Sequence, residues 1–156
     1  MFRKASSSDL SVIMHLLHQV NDVHAAGRPD IFIKGHTKYN ENDVLKIISD
    51  PSTPVFILSD ENDIAQAYCF CLVQDHTGDP HLQQFKSLYI DDLCVDEKCR
   101  GKHLGSKLYE YVRVWAKENG FYNITLNVWS CNPSAIRFYE SMGLVPQKTT
   151  LETILR

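Results

Sequence analysis

The chain contains no CxxC pair, no zinc-type histidine spacing and no apolar run near the ~18–20 residues a membrane-crossing helix requires. A metal site and a membrane span are therefore not expected. Positive charge is also short. Lys and Arg number 16 against 19 Asp and Glu, the formal net charge is −3, and no basic block occurs. That balance argues against nucleic acid as a partner and suits a cationic amine substrate. The opening MFRKASSSDL lacks the apolar stretch of a secretory signal, so a cytoplasmic location is expected. The five cysteines (69, 71, 94, 99 and 131) are odd in number, and Cys69 and Cys71 share one face of a strand pattern. They read as reduced, mostly buried thiols. His15 and His18 stand at i, i+3 with no third ligand nearby in sequence. Glycine is scarce as well, with seven in all, yet two of them fall four residues apart in Cys99-Arg100-Gly101-Lys102-His103-Leu104-Gly105-Ser106.

With 156 residues, 44% hydrophobic and 22% charged, the chain suits one domain spanning residues 1–156 with a real core. No repeat or linker interrupts it. Phe2 to Ala5 reads as a short strand. Ser8 can cap a helix whose Leu10, Ile13, Leu16, Leu17 and Val20 share one face. Residues 24–39 are irregular or partly helical, and Asn40 or Asn42 opens a second helix that Pro51 ends. Val55 to Leu58 and Ile64 to Val73 flank a hairpin turn, and Lys86 to Val95 is a further strand. A helix from His103 to Asn119 carries Leu104, Leu108, Tyr111, Val112 and Trp115 on its stripe, and Gly120 ends it. Tyr122 to Val128 is a strand, Asn132-Pro133 opens a short helix closed by Gly143, and Leu144 to Thr149 and Leu151 to Leu155 are final strands. The order βααβββαβαββ predicts an α/β (α+β) fold: a mixed sheet of about six to seven strands with helices on both faces.

The glycine-bearing turn joins the strand ending at Val95 to the helix beginning near His103. The first amides of a helix lack internal acceptors and carry partial positive charge, so such a turn can receive phosphate. Gly101 and Gly105 permit close approach, and Arg100, Lys102 and Lys107 add charge. The spacing fits neither GxxxxGK[ST] nor GxGxxG. A plain strand-to-helix turn would use the same glycines.

Taken with its neighbours, the turn resembles the acetyl-coenzyme A motif [RQ]-x-x-G-x-[GA] of the GCN5-related N-acetyltransferase superfamily. Leu93-Cys94-Val95-Asp96 matches the strand end that precedes it. Asn132-Pro133-Ser134-Ala135-Ile136-Arg137-Phe138-Tyr139-Glu140-Ser141-Met142-Gly143-Leu144 is similar to that family's second motif, N-x-x-A-x-x-[FL]-Y-x-x-x-G-[FL]. The resemblance covers the chain in element order and is strongest from Tyr89 to Leu144. It implies that the amides of Arg100, Gly101, Lys102, His103, Leu104, Gly105 and Ser106 bind the diphosphate of coenzyme A. It also implies that Leu93, Cys94 and Val95 pair with the pantetheine arm, and Asn132 is grouped with these cofactor-binding residues. The strand is expected to splay from its neighbour, and no metal is required. The departure is His103, where the family has its middle glycine. Histidine visits positive φ more readily than most residues and can donate to a phosphate.

Acetyl transfer to an amine requires a proton acceptor for the nitrogen and a donor for the departing thiolate. Tyr139, matching the family's tyrosine, is the candidate acid, because a phenol with an ordinary pKa near 10 stays protonated at neutral pH. The base is Asp91 or Asp92, in a Tyr89-Ile90-Asp91 run similar to the acidic strand of polyamine- and aminoglycoside-type members, or a water relay. Strand alternation puts Asp91 and Asp92 on opposite faces, so only one should reach the cleft. Asn127 occupies the position where another branch carries glutamate, and it could hold a water. The acceptor mouth in this fold is built by the first two helices and their connection, which selects His24, Arg28, Pro29, Asp30, Phe32 and Tyr39. The resulting expectation is an acetyl-coenzyme A dependent N-acetyltransferase acting by direct attack on a small-molecule or peptide amine. A non-catalytic coenzyme A-binding module of the same fold is the alternative, and longer acyl groups stay open. Exposed terminal strands make a homodimer the expected assembly.

Overall fold

The computed structural model describes residues 1–156. Its five strands are β1 (Phe2–Lys4), β2 (Val55–Ser59), β3 (Ala65–Asp75), β4 (Lys86–Val95) and β5 (Asn123–Leu126). They lie in the spatial order β1-β2-β3-β4-β5. Every pair is antiparallel except β4 and β5, which are parallel and are joined through a helix as a parallel connection demands. The helices are α1 (Leu10–Gly27), α2 (Glu41–Ser49), α3 (Leu104–Glu118) and α4 (Pro133–Ser141).

Both sheet faces are covered, as a continuous apolar strand such as Val55-Phe56-Ile57-Leu58 requires. On one face, Leu108, Val112 and Ala116 of α3 pack over Phe56, Ala67, Cys69, Leu88 and Ile90, with Phe138 and Met142 of the α4 region at the margin. On the other, Ile13, Leu16 and Leu17 of α1 and Val44 of α2 cover Ile57, Tyr68, Phe70 and Cys94. The mixed sheet with helices on both faces is thus as expected. All five cysteines are free; Cys69, Cys71 and Cys94 are buried, Cys99 is partly so, and Cys131 is exposed. No helix is long and apolar enough to cross a membrane.

Two expectations change. Helix α1 runs through Gly27, so the segment read as irregular or partly helical begins as helix at His24. Its start is organised by Ser6 and Asp9 instead of Ser8: the Ser6 amide donates to Asp9 Oδ2 at 2.8 Å across a single 3₁₀ turn. The sheet has five strands, not about six to seven, because residues 144–156 form none. Pro146 has no amide hydrogen to give a ladder, and Val145, Leu151 and Leu155 are 81%, 88% and 91% exposed, so no apolar face holds the segment to the four-residue β5. The order therefore ends at α4 as βααβββαβα.

The amino end is fixed by an ion pair. Buried Asp9 accepts Arg3 Nη1 at 2.8 Å and Nη2 at 2.9 Å. Burial pushes the Asp9 carboxyl up, but the Arg3 guanidinium and Ser6 amide hold it below the ordinary carboxylate range. Arg3→Met strands that charge and should cost about 3 kcal/mol at pH 7, read by urea unfolding. Because the Asp9 pKa is depressed in the folded state, this stabilisation is complete above the unfolded carboxylate value near 3.9. It disappears as pH falls through the lower folded value, so the two proteins should converge in acid.

Candidate active site

Strands β4 and β5 part company. Their parallel pairing runs from Ser87 with Asn123 to Ile90 with Leu126, where β5 ends, while β4 continues to Val95. From Asp91 to Val95 the strand therefore has β3 on one edge and no strand on the other. This open edge carries the backbone of Leu93, Cys94 and Val95, while their side chains are committed to packing. Leu93 and Val95 lie against the α3 core, and the buried Cys94 Sγ donates to the Leu16 carbonyl at 3.6 Å.

A β-bulge sits where the strands separate. Phe70 of β3 faces Asp92 and Cys71 faces Ile90, so Asp91 is an extra residue on β4. The pleat changes phase there: Leu88 and Ile90 point toward α3, and so do Leu93 and Val95. Asp91 and Asp92 consequently reach tyrosines of the same α1–α2 side, Tyr39 and Tyr68 respectively. This corrects the expectation from simple alternation, which put the two carboxylates on opposite faces.

The environments of these carboxylates differ. Asp91 is bonded on both oxygens, by Lys38 Nζ at 2.5 Å and by the Tyr39 hydroxyl at 2.7 Å. Asp92 accepts the Tyr68 hydroxyl and pairs with no cation. Burial raises the Asp92 carboxyl to about 6, and the neighbouring Asp91 charge adds to the rise against the opposing pull of Tyr68 and Lys38. Asp92 therefore exchanges a proton in the range suited to general base work. Tyr139, from α4, stands edge-on to Phe138 with ring centres 5.0 Å apart, and its hydroxyl has no hydrogen-bond partner in the chain. Burial first, then the fields of Cys69 and Asp92, push its phenol well above the ordinary value, so it is held protonated.

In the turn before α3, Gly101 has φ +78°, and His103 has φ +57° with ψ 25°. His103 thus adopts the left-handed conformation that a glycine would take, with its side chain exposed and unbonded. None of the amides from Arg100 to Ser106 donates within the chain, which leaves a run of free donors at the amino end of α3. A Cβ at Gly105 would make ordinary van der Waals contact, 3.4 Å from Phe138 Cζ and 3.5 Å from Val95 Cγ2, so a larger side chain, not a methyl, would crowd the turn against α4. Lys102 is exposed, Leu104 and Ser106 are partly buried, and exposed Arg100 folds back so that Nε donates to the Val95 carbonyl at 3.4 Å. Asn132 Oδ1 accepts the Ala135 amide at 3.2 Å, so its carbonyl caps α4 and only the amide nitrogen is left for a ligand. His103→Val should lose about 1–2 kcal/mol in thermal unfolding because a β-branched residue is strained at that φ, whereas His103→Gly should not.

A row of aromatic rings is linked to Asp91 through Lys38, which bonds Asp91 and lies near His24. His24 of α1, Phe32 of the α1–α2 connection and Trp129 after β5 stand in sequence, with ring centres 5.0 Å and 5.2 Å apart. Arg28 is taken up by Asp30 and by Glu152 (Nη2–Oδ2 2.8 Å, Nη1–Oε1 2.5 Å). Pro29 and Asn127 are exposed. The structure thus groups Asp91, Asp92, Tyr39 and the loop amides about one splayed strand and spends Arg28 on an ion-pair cluster. Sequence reading passed over Lys38, Tyr68 and Trp129. Trp129 had a signal, an aromatic in the loop after a strand, whereas Tyr68 reads as core and Lys38 as surface.

Comparison with known proteins agrees with this geometry. Residues 18–144 match the acetyltransferase (GNAT) family. A glucosamine 6-phosphate N-acetyltransferase of Arabidopsis thaliana is 36% identical over 59 residues, 38% of this chain and 38% of that protein. A "Probable glucosamine 6-phosphate N-acetyltransferase" of Drosophila melanogaster is 38% identical over 56 residues, 36% of this chain and 24% of that protein. The match thus spans well under half the length of these curated relatives. Among solved structures, a variant of the BH1408 protein of Bacillus halodurans superposes with TM-score 0.94 at 31% identity, covering 100% of this chain and 99% of that one. The crystal structure of the Arabidopsis thaliana glucosamine-6-phosphate N-acetyltransferase superposes with TM-score 0.70 at 21% identity, covering 100% and 98%, which is a likeness of fold. With a family match across most of its length, a parted β4–β5 pair and a free-amide turn ahead of α3, the chain belongs to the acetyltransferase (GNAT) family.

Proposed function

We propose that the protein transfers the acetyl group of acetyl-coenzyme A directly to a primary amine. The observation that carries the reading is the continuity of open donors. The unpartnered amides of Arg100 to Ser106 lead into the unpaired edge of β4 at Leu93 to Val95, and that edge ends at Asp92 and Asp91. A diphosphate fits the first and an extended amide-bearing arm fits the second, because the backbone of an edge strand pairs with any added strand. Acetyl-coenzyme A would supply the thioester when bound. The chain's residues orient it and move protons.

In this reading the ammonium first sheds one proton through Asp92, directly or by way of one water, to solvent; the freed lone pair attacks the thioester carbonyl carbon, and the nitrogen gives up its second proton to Asp92 as the tetrahedral adduct forms. The tetrahedral adduct collapses, the C–S bond breaks, and the Tyr139 hydroxyl gives its proton to the departing sulfur. The products are an N-substituted acetamide and the free thiol. Proton return from Asp92 to the phenolate through solvent restores the site. Asp91, neutralised by Lys38, fixes the α1–α2 connection and sets the field at Asp92.

The test is thiol release from acetyl-coenzyme A across a panel of amines, paired with calorimetric titration of coenzyme A. Amine-dependent thiol release and a binding heat abolished by Gly105→Val are expected. Absence of both sinks the proposal, while binding without turnover selects a coenzyme A-binding module.

A further inference from the structure

The rings linked to the carboxylates through Lys38 form an aromatic row, and two cations near it, Arg28 and Lys38, are already paired. Phe32 meets Trp129 edge to face, with an interplanar angle of 82°, and His24 leans on Phe32 at 32°. Trp129 is 38% exposed, so part of its indole surface is open to a ligand, and exposed Ile31 and Val128 extend the apolar rim. The row also adjoins the chemistry. Trp129 follows closely on Leu126, whose partner Ile90 immediately precedes Asp91. Lys38, bonded to Asp91, is near enough to His24 to oppose its protonation, which burial already disfavours.

The charges set what this mouth accepts. Arg28 is matched by two carboxylates, Asp30 and Glu152, and Lys38 by Asp91. A phosphate or sulfate on the acceptor would have to break one of these pairs to use Arg28 or Lys38, and the half-buried His24, whose protonation is disfavoured, adds little charge to hold it. Asp92, by contrast, is a carboxylate with no cationic partner, and the exposed indole of Trp129 follows shortly after Leu126, the strand partner of Ile90; together they suit an ammonium on one end of a ligand and a flat apolar group on the other.

Resting on the acetyl-transfer reading, we propose that the acceptor is a small primary arylalkylamine. Its ring lies on Trp129 and Phe32 and its nitrogen is directed to Asp92, and phosphorylated amines are disfavoured.

The experiment measures initial thiol release from acetyl-coenzyme A with 2-phenylethylamine, tryptamine, spermidine, glucosamine 6-phosphate and a tripeptide with an N-terminal leucine. A kcat/KM for the two arylalkylamines at least tenfold above the rest is expected. Trp129→Ala and Phe32→Ala should raise the arylalkylamine KM tenfold or more while the KM for acetyl-coenzyme A stays put, and Trp129→Phe should recover most of the loss. Unchanged melting temperatures separate this from misfolding. Preference for spermidine, the sugar phosphate or the peptide overturns the arylalkylamine assignment and leaves the acetyl-transfer reading standing. Equal KM in Trp129→Ala does the same. Silence with every amine, together with no coenzyme A binding heat, removes the reading itself.

Discussion

Replacing Asp92 by asparagine should lower kcat by roughly 10²–10³-fold, the range lost with a positioned general base. The more telling consequence is in the pH profile. Because burial lifts the Asp92 carboxyl to about 6, wild-type kcat/KM should fall on the acid side with that midpoint, and the limb should vanish in Asp92→Asn. Asp91→Asn acts differently. It removes the neighbouring negative charge that helps raise Asp92 and frees Lys38 to lower it further, so the limb should move to more acid pH and stay present. The same substitution at Asp92 should stabilise the fold. A folded pKa above the unfolded one means that the native state gives up its proton less readily, so stability drops as pH rises from about 4 to about 6. A rise from 3.8 to about 6 corresponds to at most about 3 kcal/mol above that window. Asp92→Asn can still accept from Tyr68 and escapes this cost, so it should melt higher than wild type at pH 8 and lose the advantage below pH ~4. Slower yet sturdier is the signature expected of a strained functional group. A loss of both activity and stability at pH 8 would assign Asp92 to structure.

Tyr139→Phe should reduce kcat by roughly tenfold to a hundredfold with little change in KM for either substrate, since the ring stays packed on Phe138 and only the hydroxyl is lost. The hydroxyl bonds to nothing else in the chain, so its removal strands no partner and should leave the melting temperature nearly unchanged. The leaving group supplies an independent check. If Tyr139 protonates the sulfur, an acyl donor whose thiol is more acidic needs that proton less, and the defect should shrink with an acetyl thiophenol ester. A defect of equal size with both donors would show that the phenol acts elsewhere.

Much of this was legible in the sequence. Helices α2, α3 and α4 were marked by their apolar spacing and end residues, and the turn and second motif pointed to the family before any coordinate did. What stayed hidden has physical causes. A bulge is one residue with no composition of its own, so Asp91 and Asp92 looked like neighbours on a regular strand; only the cross-strand partners Phe70 and Cys71 reveal the extra one. The final segment has the alternation of a strand, but a strand is made by a partner, and residues 144–156 have none. Arg28 read as a residue of the acceptor mouth, and its commitment to Glu152 stayed hidden because the two lie 124 positions apart. Conversely, His103 was placed correctly for a local reason: the conformation belongs to the position, and histidine tolerates it better than most residues.

The bulge at Asp91 also bears on how the sheet assembles. β3 and β4 are the longest adjacent strands, and alternating apolar residues alone would let one slide along the other by two places with little complaint from either core. A lone unpaired residue permits no such slip, since it can be seated at a single point without throwing Leu93, Cys94 and Val95 onto the wrong sides. It works as an alignment peg for folding. Deleting it would leave Ile90 and Asp92 in unbroken alternation opposite Cys71 and Phe70, so both cores stay filled while the feature that fixes the register is lost.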